Sequence, residues 1–229
     1  TRESSGPTVR LPARRVYDAR MAARQPTPTL KFEREFWAVG ARWVAGVDEV
    51  GVGPLAGPVA AAVVALPPDK RFRWYSHVRD SKVLTHEVRA FLAPKIQASV
   101  PWAIGWASHD EIDRIGILPA RRLCMLRAFE QLGVKPDGIV SDALDLPLPN
   151  VKAVIHGDAL SVSVAAASIV AKVARDALMD HMCDVHPGYG FCHNKGYATP
   201  DHKQAIRELG PCEIHRKTWA PIAQYALPW

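Results

Sequence analysis

Apolar residues in this chain fall into short runs separated by polar, glycine-bearing or helix-periodic stretches. Residues 43–50, 59–66, 102–108, 139–142 and 151–156 are apolar runs of strand length, and each is read as a strand. Residues 30–39, 86–99, 110–132, 161–185 and 200–209 read as helices; the third is broken near Gly116 and Pro119, and the fourth is long and rich in alanine. Gly51, Gly53, Pro54 and Gly57 lie between the first two strands, where the connection has unusual backbone demands. A second Gly-rich turn spans residues 187–196. With no long helix between the first two strands, the first three are expected to form an antiparallel meander. The last two follow helices and are expected to join in parallel. The predicted fold class is α/β: a mixed five-stranded sheet flanked by helices, with a helical C-terminal part.

Residues 1–29 differ in character from the rest of the chain. Arg2, Arg10, Arg14, Arg15, Arg20 and Arg24 outnumber Glu3 and Asp18, four prolines interrupt the segment, and large apolar residues are scarce. A basic, flexible arm with a short helix over residues 14–24 is expected, either as a solubilising tail or as a non-specific grip on nucleic-acid backbone. Residues 30–229 are expected to form one domain, because 229 residues suit one sizeable domain better than two. The balance of 48% hydrophobic and 23% charged residues excludes wholesale disorder. The most apolar run, 59–66, is far too short to cross a bilayer, and no leader-like apolar segment is visible. The excess of 29 Lys and Arg over 23 Asp and Glu favours a polyanionic partner. Cys124, Cys183, Cys192 and Cys212 are too sparse and irregular for a disulfide scaffold, so reduced thiols and a cytoplasmic location are expected. Cys183, His186, Cys192 and His193 lie close together, but their spacing fits no common zinc pattern.

Three of the apolar strands deliver carboxylates at their C-terminal ends. Asp48 and Glu49 end the first, Asp142 ends the fourth, and Asp158 lies between the fifth and the long helix. Neighbours on a regular strand point to opposite faces, so a strand end, bulge or twist is needed for Asp48 and Glu49 to reach one site. If the first and fourth strands are neighbours, their ends meet where ligand crevices open in α/β sheets. Clustered carboxylates take up protons unless a cation neutralises them, and hard oxygen ligands suit Mg²⁺ or Mn²⁺. On a basic protein this points to metal-assisted phosphodiester hydrolysis. The Gly51–Gly57 segment is no dinucleotide fingerprint: its third glycine comes one residue late, and Pro54 removes a backbone donor.

These motifs, in this order, resemble those of the type 2 ribonuclease H family, ribonuclease HII. The matching segments are Ala45-Gly46-Val47-Asp48-Glu49-Val50-Gly51, Gly53-Pro54-Leu55-Ala56-Gly57-Pro58-Val59, Asp80-Ser81-Lys82, Glu111-Ile112-Asp113 and Gly157-Asp158. They continue through residues 165–176, Tyr189-Gly190-Phe191, Lys195-Gly196-Tyr197-Ala198-Thr199, His202 and His215-Arg216. The resemblance implies a ribonuclease H-like fold and endonucleolytic cleavage of RNA in RNA–DNA hybrids. It also implies incision 5′ of a single ribonucleotide in duplex DNA, with 3′-hydroxyl and 5′-phosphate ends. It places the catalytic and metal-binding carboxylates at Asp48, Glu49, Asp142 and Asp158, with two Mg²⁺ or Mn²⁺ ions. It implies substrate contacts at Gly51, Val52, Gly53 and Tyr197, the last stacking on the sugar at the junction. Ser168 is counted with the substrate-binding residues, and Lys82, Lys172, Lys195 and Arg216 are further candidates for contact with backbone phosphates, each weighed against a solvated or salt-bridged role. The partners implied are RNA–DNA hybrid and ribonucleotide-containing duplex DNA, met by a monomer with no membrane.

Asp176 also lies in a matching motif, but about fifteen residues along the long helix, or ~22 Å at the helical rise. It is expected to pair with Lys172 rather than join Asp158. Asp145 is read as a surface acid. The main departure is Gly51-Val52-Gly53, where the family carries Gly-Arg-Gly or Gly-Lys-Gly; weaker binding or altered junction selectivity is expected. Ala143 stands where the family often has glycine, and His156 where a lysine is common; His156 is read as either a phosphate contact or a structural strand end. The competing readings are a non-catalytic or junction-nonselective hybrid-binding relative and a related nuclease acting on DNA.

Overall fold

The computed structural model of the chain describes residues 27–225. The expected helix at 14–24 and nearly all of the expected basic arm lie outside the described residues. Thr29 is already tied to the domain: its N–H donates to Leu160 O at 2.9 Å, and its own carbonyl accepts from Val162 N–H at 3.2 Å.

Five strands form one mixed sheet: β1 (Val44–Val50), β2 (Val59–Leu66), β3 (Trp102–Ala107), β4 (Gly138–Asp142) and β5 (Val151–Val154). Their order is β3-β2-β1-β4-β5. The first three pair antiparallel, β4 joins β1 in parallel, and β5 joins β4 in parallel, as the connection lengths predict. All eight residues of β2 are buried, because helices cover both faces of the sheet. Continuous apolar runs of this kind belong to doubly covered strands.

One face is covered by α6 (Val162–Val185) and α2 (His86–Gln97); the other by α3 (His109–Ile115) and α4 (Ile117–Gln131). Small residues set the spacing. A Cβ on Gly46 would fall 2.2 Å from the Ser163 carbonyl carbon of α6, and one on Gly105 would fall 2.0 Å from Cys124 O of α4. The helices start where their caps dictate. Thr85 and Ser108 accept from Val88 N–H and Glu111 N–H, and Glu111 returns the bond to the Ser108 N–H. The start of α6 is held from α1 (Lys31–Trp37). The buried Glu33 carboxylate accepts from Ser161 Oγ at 2.6 Å, Ser163 N–H at 2.9 Å and Ser163 Oγ at 2.7 Å.

The C-terminal part adds α7 (Phe191–Asn194), α8 (Pro200–Leu209) and α9 (Ala220–Ala223). They close a second apolar cluster around Leu55, Met179, Phe191, Ile206 and Ile222. The connection between β1 and β2 thus enters a core built by the C-terminal residues.

Three details differ from the sequence reading. β5 ends at Val154 rather than His156, because His156 takes a left-handed φ of +58° and turns the chain into α5 (Gly157–Leu160). The short helices α5, α7 and α9 carry too few residues to show a period. Free thiols are found at Cys124 and Cys212, but Cys183 and Cys192 form a disulfide between the last turns of α6 and α7. No helix among the described residues is long and apolar enough to cross a membrane.

Replacing Glu33 by alanine strands two serine hydroxyls and an amide in the interior. The variant is expected to lose about 2–4 kcal/mol of stability in urea denaturation. A loss under about 0.5 kcal/mol would show that water takes over these bonds.

Candidate active site

β1 and β4 lie side by side with Val47 opposite Ser141, so Asp48 and Asp142 are the next residues of each strand at one edge. β1 stays regularly paired with β2 through Asp48, Glu49 and Val50. No bulge aims the two acids at one site. They take opposite faces, as a pleated strand requires. Asp48 lies on the α6 face, in the same cavity as Ser168, and its Oδ1 accepts from the Glu49 N–H at 2.8 Å. Glu49 lies on the α4 face, where Arg121 pairs with it. A cavity of about 410 Å³ wraps over the strand ends and brings Asp48, Glu49, Asp142 and Ser168 to one space.

Asp158, in the first turn of α5, is buried and accepts from Lys82 Nζ at 3.1 Å. Asp142 accepts from the Gly157 N–H at 2.8 Å, which joins the end of β4 to the start of α5. Lys82, Lys172, Val52 and Tyr197 also line the cavity. Lys172 donates to Asp176 at 2.7 Å, the pairing expected from their spacing. Tyr197 is 42% exposed, which excludes a core role, and its ring lies beside Gly53, where a Cβ would meet Cε1 at 3.7 Å.

The Gly51–Pro58 connection is organised from beneath by two wholly buried arginines. Arg216 donates to Val52 O at 2.9 Å and to Gly51 O and Gly57 O. Arg175, from α6, donates to Pro58 O at 3.0 Å, Ala56 O at 3.3 Å and Lys195 O at 3.0 Å. Gly51 has a φ of +89°, and a Cβ there would overlap the Arg175 side chain, so both conformation and space demand glycine. The loop before Tyr197 is strapped to the same connection by Leu55 N–H donating to Gly196 O at 2.8 Å.

These contacts decide between the readings left open for two candidates. Arg216 is no phosphate contact, because its guanidinium is buried against turn carbonyls. Lys195 is spent on Asp180 and Cys192 O. His156 and Asp145 are both exposed. Arg121, Ser81 and Arg175 do not stand out as site residues in the sequence. Ser81 lies in a quoted motif and accepts from Ser168 Oγ at 2.8 Å. Arg121 is one of two consecutive arginines on a helix, with nothing in its spacing to link it to Glu49.

The electrostatics follow from burial. Asp48 is pushed well above the ordinary carboxylate range by burial and then by Glu49, with Ser168 opposing and Asp142 and Asp158 adding. Glu49 is raised by burial against the pull of Arg121, and Asp142 is raised by burial against the Gly157 N–H. Lys82 loses some proton affinity to burial but gains more from Asp158, and its pKa is raised. Among the described residues, no three His, Cys, Asp or Glu side chains stand close enough to enclose a metal ion as they are placed. Glu49 is drawn toward Arg121 and Asp158 toward Lys82. Glu49 Oε2 nevertheless stays buried with no hydrogen-bond partner, a spare oxygen suited to a hard cation.

Residues 45–222 match the family model described as Ribonuclease HII. The chain is 48% identical over 217 residues to a ribonuclease HII of Lactobacillus gasseri, covering 91% of this chain and 85% of the relative. It is 50% identical over 197 residues to a ribonuclease HII of Lactobacillus johnsonii, covering 85% and 77%. The fold superposes on the crystal structure of ribonuclease H2 from Pyrococcus horikoshii with a TM-score of 0.67 and 28% identity, covering 80% of this chain and 96% of that one.

A carboxyl whose proton affinity is raised by folding contributes stability below the ordinary carboxylate pKa and loses it as pH rises through the raised value. In EDTA, Asp48→Asn is therefore expected to melt above the parent at pH 8, with the gap closing toward pH 4. Coincident melting points at pH 8 would show that Asp48 carries no such burden.

Proposed function

This chain belongs to the ribonuclease HII family and is a ribonuclease H with the ribonuclease H-like fold. On that premise we propose that it cuts the RNA strand of RNA–DNA hybrids and incises duplex DNA 5′ of a single embedded ribonucleotide. The observation that carries this reading is the meeting of Asp48, Glu49 and Asp142 in one cavity that also holds the exposed Tyr197 beside the Gly51–Gly53 turn. A bare acid cluster of this kind suits a cation, and an exposed aromatic ring beside accessible backbone suits a sugar.

Asp48, Glu49, Asp142 and Asp158 are the residues that would hold two Mg²⁺ or Mn²⁺ ions. Such ions would neutralise the carboxylates, activate the attacking water and stabilise the leaving oxygen. The raised proton affinity of Asp48, Glu49 and Asp142 and the unpartnered Glu49 Oε2 support that assignment. In the reaction, a water oxygen bonds to phosphorus, the bond from phosphorus to the 3′-oxygen breaks, and that oxygen takes up a proton. The ends are a 3′-hydroxyl and a 5′-phosphate. The Glu49 N–H holds one oxygen of Asp48, and the Lys82 contact orients Asp158. Tyr197 stacks on the junction sugar, and the Gly51–Gly53 backbone approaches the 2′-hydroxyl, the chemical mark of ribose. Lys82 and Lys172 add positive charge where the backbone phosphates run.

Val52 favours a second reading in which hybrid is cut but the lone ribonucleotide is read poorly, since an apolar side chain occupies the turn. The protein is read as a cytoplasmic monomer working in ribonucleotide removal.

The test pairs a labelled duplex bearing one ribonucleotide with an RNA–DNA hybrid and an all-DNA duplex, in Mg²⁺ and in Mn²⁺. Cleavage 5′ of the lone ribonucleotide is expected, with none of the all-DNA duplex. Asp48→Asn is expected to lower the rate at least a thousandfold, about 4 kcal/mol of barrier. Cleavage of the hybrid alone would move the assignment to the second reading, and unchanged cleavage by Asp48→Asn would sink the site.

A further inference from the structure

Arg121 enters the cavity from α4 with its side chain 21% exposed. Its only ion pair among the described residues runs from Nη2 to Glu49 Oε1. Its Nε is buried without a partner, as is the second oxygen of Glu49. A guanidinium carries five donors in a rigid fork, and a closed structural pair would meet both carboxylate oxygens side by side. Here one donor meets one oxygen, and most of the fork is unspent.

The other cations of the cavity each meet an acid as well. Lys82 serves Asp158 at 3.1 Å and Lys172 serves Asp176 at 2.7 Å. The Gly51–Gly53 turn contributes only the apolar Val52. A polyanion brought to an edge that carries Asp48, Glu49, Asp142 and Asp158 needs a nearby group that can pair with phosphate, and the forked guanidinium fits phosphate oxygens better than a lysine does.

We propose that Arg121 is a substrate-binding residue that holds a backbone phosphate of the nucleic acid through the donors Glu49 leaves free. The proposal rests on reading this cavity as a nucleic-acid site. Glu49 keeps the side chain extended into the cavity, and α4 supplies the positive charge that the turn lacks. Arg121 thus touches both the acid cluster and the substrate.

Binding separates this role from a purely structural one. In an Asp48→Asn background, which blocks turnover and keeps the pair between Arg121 and Glu49, hybrid affinity is measured by fluorescence anisotropy in Mg²⁺ across a salt series. Adding Arg121→Ala is expected to weaken binding about tenfold and to make the plot of log affinity against log salt shallower by about 0.9, the signature of one lost phosphate contact. Arg121→Lys is expected to retain the slope, and Val52→Arg is expected to recover much of the affinity lost with Arg121→Ala. Thermal melting confirms that each variant is folded. Unchanged affinity and slope in the Arg121→Ala variant would overturn the proposal and leave Arg121 as a partner of Glu49 alone. If the folded Asp48→Asn protein does not bind hybrid at all, the nucleic-acid reading falls first, and the proposal falls with it.

Discussion

The glycine connection beside the acid cavity depends on two buried guanidinium groups that no carboxylate neutralises among the described residues. Arg175 and Arg216 are compensated by main-chain carbonyls of the Gly51–Pro58 connection and of Lys195. Burial pulls the proton affinity of both down, and for Arg216, with Arg175 adding, the pKa falls to about 9. A buried charge tolerates only a backbone that keeps its oxygens aimed inward. The arrangement therefore turns two costly charges into a template for the connection, and carbonyls committed inward leave the opposite side of the turn to face the cavity.

The carboxylate edge obeys the opposite logic. Its acids repel one another, and each is restrained by a different group: the Glu49 N–H for Asp48, Arg121 on α4 for Glu49, the Gly157 amide for Asp142 and Lys82 for Asp158. Because Asp48 and Glu49 take opposite faces of β1, the site draws on both helical layers. Neither layer alone could hold the cluster.

Much of the fold is legible in the chain because it rests on contiguous patterns. The runs at 59–66 and 200–209 match β2 and α8 residue for residue, and the glycine-rich connection signals its own strain. The acids are legible because each ends an apolar run. What the pattern cannot show depends on distant segments meeting. Arg216 reads as a surface cation until its partners, more than 150 residues away, are seen to be carbonyls. Nothing in its spacing marks Arg121 until the Glu49 face is known. The disulfide between Cys183 and Cys192 joins two helices, the shorter of which has no sequence signature. The pairing of Lys172 with Asp176, by contrast, is local and can be read directly from its spacing.

Helix α6 touches nearly every functional part in turn. Its first residues meet Glu33, Ser168 lines the acid cavity, Arg175 grips the glycine connection, Met179 packs under Gly57, and Cys183 ties its far end to α7. Seven residues separate Ser168 from Arg175, about 10 Å at the helical rise. A rod of fixed pitch therefore sets the gauge between the acid edge and the glycine connection. Under the proposed function, that fixed length would set the distance between the phosphate cut and the sugar recognised, as a caliper holds a length.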